Sequence, residues 1–278
     1  MSKRWKNLPT TIRLRLLILT ALLIGALIPA AWSVSRTGDW EGLAANFSTE
    51  MAGAAITFIL LDWIIGGRER REEHHQETEF QKSDLTARMS SSVREVALAV
   101  ADELRHNGWM MDGTLRGACL RRADLQSADL SKSDLADANL HRVSLQNADL
   151  WAANLHGADL SGAWLTNARL WQAQMMEANL WQARLHKADL REANLREAVM
   201  NETRLQEANL RGANFEGALL QDAKLDKAQF DTTTILPDGQ HWTPTTDLTR
   251  FTNPQHPDFW QPEILPQAAL SLKLQRPN

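Results

Sequence analysis

Residues 159–180 read DLSGAWLTNARLWQAQMMEANL, and in this stretch a large apolar residue recurs at every fifth position, with an alanine two residues before it. The same unit, Ala-(Asp/Asn)-Leu-x-x, repeats about 24 times between Gly113 and Phe230. Neither the 3.6-residue period of a helix nor the two-residue period of a strand can bring every fifth residue to one interior. The repeat therefore predicts a coil that turns a corner after every five residues.

This repeat resembles the one that defines the pentapeptide-repeat family, and the resemblance spans about 118 of the 278 residues. It implies an all-β, right-handed, quadrilateral β-solenoid with four repeats per coil and with the leucines and alanines inside. About six coils stacked at the strand spacing of about 4.8 Å would be roughly 29 Å long. Positions 20 residues apart, such as Asn139, Asp159 and Asn179, should then stack on successive coils as scaffold, because such side chains bond locally to the backbone at turns.

Composition restricts the function classes. Of the 278 residues 44% are hydrophobic, and the formal net charge is −4, which argues against a nucleic-acid binder and against a disordered protein. The single cysteine, Cys119, excludes an internal disulfide and fits a reducing compartment, and its repeat position favours a structural role. Adjacent His74 and His75 would point about 100° apart on a helix, so we expect no metal site. We expect no cofactor either.

The first 67 residues contain two apolar runs, Leu16–Trp32 and Met51–Gly67. Each run has about 17 residues, the lower end of what spans a bilayer as a helix. A cleaved signal peptide is the alternative for the first run, but this run lacks a clean cleavage site and a second run follows it. We therefore predict an N-terminal transmembrane helical hairpin within residues 1–67.

Charge sets the expected orientation of this hairpin. Basic residues flank the outer ends of both runs, whereas the loop between them holds only Arg36 against three acids. The positive-inside rule then predicts a multi-pass protein of the bacterial inner membrane, with both termini and the solenoid in the cytoplasm. Asp62 is the one acid well inside a run, and we expect it to pair with Arg15 of the first helix; an ion pathway is the alternative.

Residues 68–110 predict a charged helical linker followed by an amphipathic capping helix. Ser92-Val93-Arg94-Glu95 fits a capping box, and Asn107-Gly108 supplies the stop. An apolar stripe should cover the open first coil, with dimerisation as its alternative use. This stripe comprises Val93, Val96, Ala97, Val100 and Leu104. The solenoid should extend over residues 111–235. Residues 236–278 should form a cap and tail that is rich in proline and aromatic residues and folds over the last coil.

The 20-residue period lets the outward positions be read as columns, two of which combine tryptophan with basic residues. The first comprises Trp151, Trp171, Arg191 and Arg211, and the second comprises Trp164, Arg184, Arg204 and Lys224. Trp181 should lie close to the second column. Exposed tryptophan and arginine are enriched at binding hot spots, which favours a partner-binding face. The alternative is that these side chains form aromatic and cation–π ladders that only stabilise the solenoid.

Three function classes can be compared. We expect no enzyme, because the histidines are scattered and a packed solenoid leaves no internal pocket. Resemblance to family members that protect or inhibit DNA gyrase suggests a DNA mimic, which over this length should present roughly 17 negative charges. Residues 112–231 hold 17 acidic and 14 basic side chains, a net charge of −3. The favoured prediction is a membrane-tethered, non-enzymatic scaffold for an unidentified cytoplasmic or membrane protein; homo-oligomerisation stays open.

Overall fold

The computed structural model describes residues 40–267 without interruption, together with residues 17, 18, 20, 21, 24 and 269. The chain divides into two compact units, Met1–Glu79 and Phe80–Asn278. Three helices are defined within the described residues: α1 (Trp40–Met89), α2 (Arg94–His106) and α3 (Thr249–Thr252). The domain boundaries predicted after residues 67, 110 and 235 stay predictions.

The predicted transmembrane hairpin is not supported. The second apolar run lies within α1, and most of the first run lies outside the described residues. Within the part of the chain that the structure describes, no helix is both long enough and apolar enough to cross a membrane. The expected pair of Arg15 and Asp62 lies outside the described side chains.

Backbone hydrogen bonds between residues about 20 positions apart build the solenoid. Parallel bridges join each outward residue to the one 20 positions later, from Cys119 onwards, in four columns around the coil. At one such bridge the Leu165 amide donates to the Arg184 carbonyl at 2.7 Å, and the Arg184 amide donates to the Ala163 carbonyl at 2.9 Å. The coil is therefore four-sided, and its sides are too short to count as long strands.

The corners of the coil lie at the two residues that follow each leucine. The second corner residue takes a left-handed conformation, with φ between 53° and 62° at the non-glycine positions. At Gln172 the amide donates to the Arg191 carbonyl of the next coil at 2.9 Å, and the following Ala173 amide closes the turn onto the Leu170 carbonyl at 3.0 Å. The left-handed conformation costs about 1–2 kcal/mol per residue, and the hydrogen bonds on both sides of the corner offset this cost.

The predicted interior is confirmed. The leucines and alanines of the repeat, from Leu115 to Ala218, form one buried core, and most of them are completely inaccessible to solvent. Burying each leucine contributes about 1.5–3 kcal/mol relative to exposing it. The stacking expected of Asn139, Asp159 and Asn179 is also present, since the Asn179 amide group donates to Asp159 Oδ1 at 2.9 Å.

Helix α2 closes the N-terminal end of the solenoid. Its buried face joins the leucine core and comprises Ala97, Val100, Ala101 and Leu104. The flanking segments continue the backbone ladder, because the amides of Asp124 and Asp134 donate to the carbonyls of Ser91 and Met110 at 3.0 and 2.8 Å. Two amides of the first coil are thereby satisfied, as an open solenoid end requires.

The start of α2 differs from the sequence prediction. The N-cap residue is Val93, which makes no side-chain capping bond, so the predicted capping box at Ser92 is wrong. The Ser91 hydroxyl accepts the Val93 amide at 3.0 Å instead, one residue earlier than expected. Val93 and Val96 are 52% and 39% exposed, because the buried stripe runs through Ala101 rather than through the first turn.

The C-terminal end closes where the five-residue period breaks. Asn214 pairs with Ile235, 21 positions later, and Ile235 then pairs antiparallel with His241. Trp242 stacks on Phe230 with ring centroids 5.9 Å apart. Phe251 is buried and meets Trp260 edge-on at 5.9 Å. The tail aromatics therefore cover the last coil, as the sequence predicted.

Replacing one core leucine should test how the interior is held. We expect Leu165→Ala to lower the free energy of unfolding by about 2–5 kcal/mol, because Leu165 is fully buried and neighbouring coils cannot collapse onto the cavity. Arg204→Ala, at an exposed position of an adjacent repeat, should change it by no more than about 0.5 kcal/mol. Denaturant titration followed by circular dichroism measures both, and equal effects would contradict the described core.

Candidate interaction site

The second predicted column lies on one flat side of the solenoid. Successive parallel bridges stack six outward residues there, which we call the Trp164 column: Asp124, Ser144, Trp164, Arg184, Arg204 and Lys224. Each points outward because the small residue before it is buried and the leucine after it is buried or, at Leu225, partly buried. Trp164 is 44% exposed, and the Arg184 guanidinium carbon lies 4.4 Å from the centroid of its ring.

The cations of the Trp164 column have no carboxylate partner within the described part of the chain. Arg184, Arg204 and Lys224 are exposed, and none takes part in an ion pair among the residues that the structure describes. An open groove of about 500 Å³ runs beside them. Its lining comprises Thr166, Arg184, His186, Arg204, Gln206, Glu207, Asp226 and Lys227. This side therefore offers an exposed aromatic ring together with positive charge.

The first predicted column forms a ladder within the chain. The rings of Trp151 and Trp171 stack with centroids 6.2 Å apart and planes at 27°. Lys132 lies 4.6 Å above the Trp151 ring, and Arg191 lies 5.5 Å from the Trp171 ring. Arg191 in turn donates two hydrogen bonds to Asp189, at 2.8 and 2.6 Å.

These contacts are of the kind that stabilises a solenoid. The Trp151 ring is itself partly covered, since its indole nitrogen is buried without a hydrogen-bond acceptor among the described residues. Arg211, the last member of the column, is exposed. Partner binding through this first column stays a prediction.

Trp181 lies away from the Trp164 column. It is the first residue of a corner, and its indole nitrogen donates to Glu202 Oε1 at 3.2 Å. Together with Val199 and Leu219 it lines a cavity of about 580 Å³, which Phe259 and Trp260 of the tail close from the other side. The sequence predicted that Trp181 lies close to this column because only three positions separate it from Arg184, but the chain turns a corner between these two residues.

Sequence reasoning missed one set of charged residues. Two positions before each member of the Trp164 column lies the second residue of a corner. We call these residues the corner column: Arg122, Arg142, Gly162, Gln182, Glu202 and Asp222. Its side chains are exposed except for the half-buried Gly162. The 20-residue period could have revealed this column, had every outward position been read for charge and not only for tryptophan.

The repeat region has clear relatives. Residues 114–234 match the family model for pentapeptide repeats in eight copies. This region belongs to the pentapeptide-repeat family. The match implies a right-handed, quadrilateral β-solenoid, in agreement with the sequence prediction. No curated protein sequence matches the chain significantly.

Solved structures of pentapeptide-repeat proteins also resemble the chain. Rfr23 from the cyanobacterium Cyanothece 51142 is 39% identical, with a TM-score of 0.33 over 33% of this chain and 63% of Rfr23. HetL from Nostoc sp. strain PCC 7120, involved in heterocyst differentiation regulation, is 33% identical, with a TM-score of 0.31 over 46% of this chain and 63% of HetL. QnrB1, a plasmid-mediated fluoroquinolone resistance protein, is 20% identical, with a TM-score of 0.19 over 41% of this chain and 67% of QnrB1. The chain thus covers less than two thirds of the length of Rfr23 and of HetL.

The Asp189–Arg191 pair beneath Trp171 should give the solenoid a measurable pH dependence. Burial raises the pKa of the Asp189 carboxyl, but hydrogen bonds from Arg191 outweigh it and hold the pKa below its usual value of 3.8. A carboxylate of this kind stabilises the folded state above pH 3.8, and its contribution is lost as the pH falls through the lowered native pKa. We expect Asp189→Asn to be destabilising at pH 6 and to differ less from the unmodified chain at pH 3, below the usual pKa of 3.8.

Unfolding titrations at the two pH values measure this difference. Asp226→Asn, which removes an exposed carboxylate outside the pair, serves as the control and should show no such convergence. A destabilisation by Asp189→Asn that is the same at both pH values would rule out the ionised pair as its cause.

Proposed function

We propose that this protein is a non-enzymatic interaction scaffold whose solenoid binds a protein partner through the Trp164 column. The observation that carries the proposal is the combination of an exposed Trp164 ring with three exposed cations, Arg184, Arg204 and Lys224, that have no ion pair among the described residues. Tryptophan and arginine in such a setting are typical of binding hot spots. Carboxylates on a partner would fit this surface.

Of these cations only Arg184 contributes a described contact to the fold, since its guanidinium lies over the Trp164 ring; Arg204 and Lys224 form no ion pair among the described residues. Neighbouring positions of a column lie about 4.8 Å apart, and at that distance two like charges repel by about 1 kcal/mol in water. The inward residues on either side, such as Ala163 and Leu165, supply the packing that holds the coil. A column of three stacked cations is therefore a small cost to the isolated chain, which an acidic partner would relieve.

Capture of partners from native membranes solubilised in detergent tests this proposal. The variant Arg184→Ser/Arg204→Ser/Lys224→Ser should lose at least one protein that the unmodified chain retains, because the positive charge of the column is gone. The matched control is Arg116→Ser/Arg169→Ser/Arg196→Ser. It removes the same number of cations, but each of these is already paired, with Asp137, Asp149 and Glu216 respectively.

The control variant should retain the partner. If both variants retain every captured protein, the Trp164 column does not bind and the proposal fails. Recovery of DNA gyrase, retained by both variants, would instead favour the DNA-mimic alternative. Equal losses from both variants would show that total charge rather than this column governs the interaction.

We further propose that the scaffold is tethered to the bacterial inner membrane, with the solenoid in the cytoplasm. The proposal rests on the two apolar runs and their basic flanks in the sequence. It is supported by four large apolar side chains that α1 leaves exposed within two turns, namely Ile56, Ile59, Leu60 and Trp63. Exposed apolar patches of this kind mark interaction with a membrane or another protein.

Two charges placed in this apolar stretch should release the protein from membranes. At the centre of a membrane helix each aspartate costs about 2.5–3.5 kcal/mol, so we expect Ile59→Asp/Leu60→Asp to move the protein from the membrane pellet to the supernatant. Thr78→Asp/Gln81→Asp, in the charged part of the same helix, is the matched control and should stay in the pellet. A double variant that fractionates like the unmodified chain would refute the tether at this position.

A further inference from the structure

A cavity between the last coils and the C-terminal tail combines apolar, aromatic and acidic walls. In one column of outward residues, Asn139, Asp159 and Asn179 are followed by the apolar Val199 and Leu219. The tail lies opposite these two apolar residues, across the cavity of about 580 Å³. Sites for small molecules commonly have volumes of about 300–1,000 Å³. The cavity is therefore large enough for a small ligand.

Aromatic rings line this cavity from both walls. One comes from the solenoid and three come from the tail: Trp181, Phe251, Phe259 and Trp260. Phe251 and Trp260 meet edge-on with centroids 5.9 Å apart. Arg250 lies 4.9 Å from the Phe251 ring, but it pairs with Asp238 at 3.2 Å and does not line the cavity. Aromatic rings grouped around a site in this way are typical of recognition of organic cations.

Three carboxylates line the same cavity, namely Glu202 and Asp222 of the corner column and Glu263 of the tail. Among the described residues its lining contains no lysine, arginine or histidine, and none of the three acids takes part in an ion pair. Arg204 and Lys224, two positions after Glu202 and Asp222, do not line the cavity. The walls thus carry negative charge that no cation within them neutralises.

Neutral donors hold two of these carboxylates in place. The Trp181 indole nitrogen donates to Glu202 Oε1 at 3.2 Å, and the Gln182 side-chain amide donates to Glu202 Oε2 at 2.8 Å. Asp222 Oδ2 accepts the side-chain amide of Gln221 at 3.2 Å. Such bonds orient a carboxylate without cancelling its charge. A guanidinium pairs best with two carboxylate oxygens that are open to it, whereas a quaternary ammonium has no N–H donors and needs only negative charge and aromatic faces.

We propose that this cavity binds a small organic cation in which a quaternary ammonium group carries an apolar group. The apolar group packs against Val199 and Leu219, and the ammonium lies between the aromatic rings and the carboxylates of Glu202 and Asp222. The site is separate from the groove beside the Trp164 column, and the inference does not depend on the proposed function. Because the ligand contacts both walls, its binding also holds the tail against the last coils.

Calorimetric titration of the full-length chain in an uncharged detergent, with benzyltrimethylammonium as the probe, tests this site. We expect a dissociation constant of about 0.1–1 mM, because the probe has few atoms with which to make contacts. Benzylguanidinium should bind at least about threefold more weakly, since both Glu202 oxygens are already engaged. Phenylacetate, an anion, should not bind. Absence of benzyltrimethylammonium binding, or tighter binding of benzylguanidinium, would overturn the inference.

Removing the negative charge of the cavity should weaken binding. We expect Glu202→Gln/Asp222→Asn to bind benzyltrimethylammonium at least about tenfold more weakly, because two attractive charges are lost. The matched control is Glu192→Gln/Asp226→Asn. Glu192 accepts the side-chain amide of Gln172 at 2.9 Å, much as Glu202 accepts one, but neither control residue lines the cavity. The control should bind like the unmodified chain, and equal affinities of the two variants would contradict the role of the carboxylates.

The aromatic wall is tested separately. Trp181→Leu retains an apolar side chain but removes the π face, so we expect binding to weaken by about two- to thirtyfold. Trp171→Leu, at the first residue of another corner and outside the cavity, should leave the affinity unchanged. Thermal melts check that all variants remain folded. A Trp181→Leu variant that binds as tightly as the unmodified chain would refute recognition by the aromatic rings.

Two other occupants of the cavity lead to different results. Lys273 and Arg276 are cations near the end of the chain itself. Lys273→Ser/Arg276→Ser should leave the affinity unchanged, and a gain of about tenfold or more would assign the cavity to the chain's own end. Choline should displace benzyltrimethylammonium better than phosphocholine does, because carboxylates repel the added phosphate. Phosphocholine that displaces the probe at least as well would assign the site to lipid headgroups. Either result would overturn a free organic cation as the ligand.

Discussion

Hydrogen bonding between successive coils is the interaction on which the whole solenoid depends. Each outward residue donates its amide to the preceding coil, as Arg184 does to Ala163, and each leucine donates its amide to the following coil, as Leu165 does to Arg184. This ladder works only if the chain returns to the same place every 20 residues. The return in turn requires four identical corners, and it places one leucine and one alanine per side in the interior. The repeat, the left-handed corner residues and the narrow core are therefore consequences of a single constraint.

The same ladder creates an electrostatic difficulty that the chain resolves in different ways on different sides. Identical outward positions stack at about 4.8 Å, so a repeated charge repels itself. In one column Arg169 lies between Asp149 and Asp189 and binds Asp149. In another column amides replace charge, so that the Asn154 amide group donates to Asp134 at 2.8 Å. The Trp151 corner places Lys132 over an aromatic ring. In the Trp164 column Arg184 lies over the Trp164 ring, but Arg204 and Lys224 form no ion pair among the described residues, and these two cations require an explanation beyond the fold.

The periodic part of the structure could be predicted from sequence, and the aperiodic part could not. A period of five with alanine two residues before leucine determines which side chains are inside and which positions stack, because chain geometry leaves no other way to bury them. The start of α2 has no such period; two serines compete for one amide, and the structure uses Ser91 instead of Ser92. Trp181 was misplaced because sequence distance does not reveal which side of a corner a turn residue faces. Whether tryptophans form a ladder or a binding face depends on distances and ion pairs, which the sequence alone does not give.

The outward cations of the Trp164 column are informative because the fold constrains them little. Coils contact only their neighbours, so an outward side chain can change without disturbing the leucines beneath it. Arg204 and Lys224 stack on successive coils and form no ion pair among the described residues. Folding alone therefore gives no reason for two neighbouring cations at these positions. A contact with an acidic surface does give one.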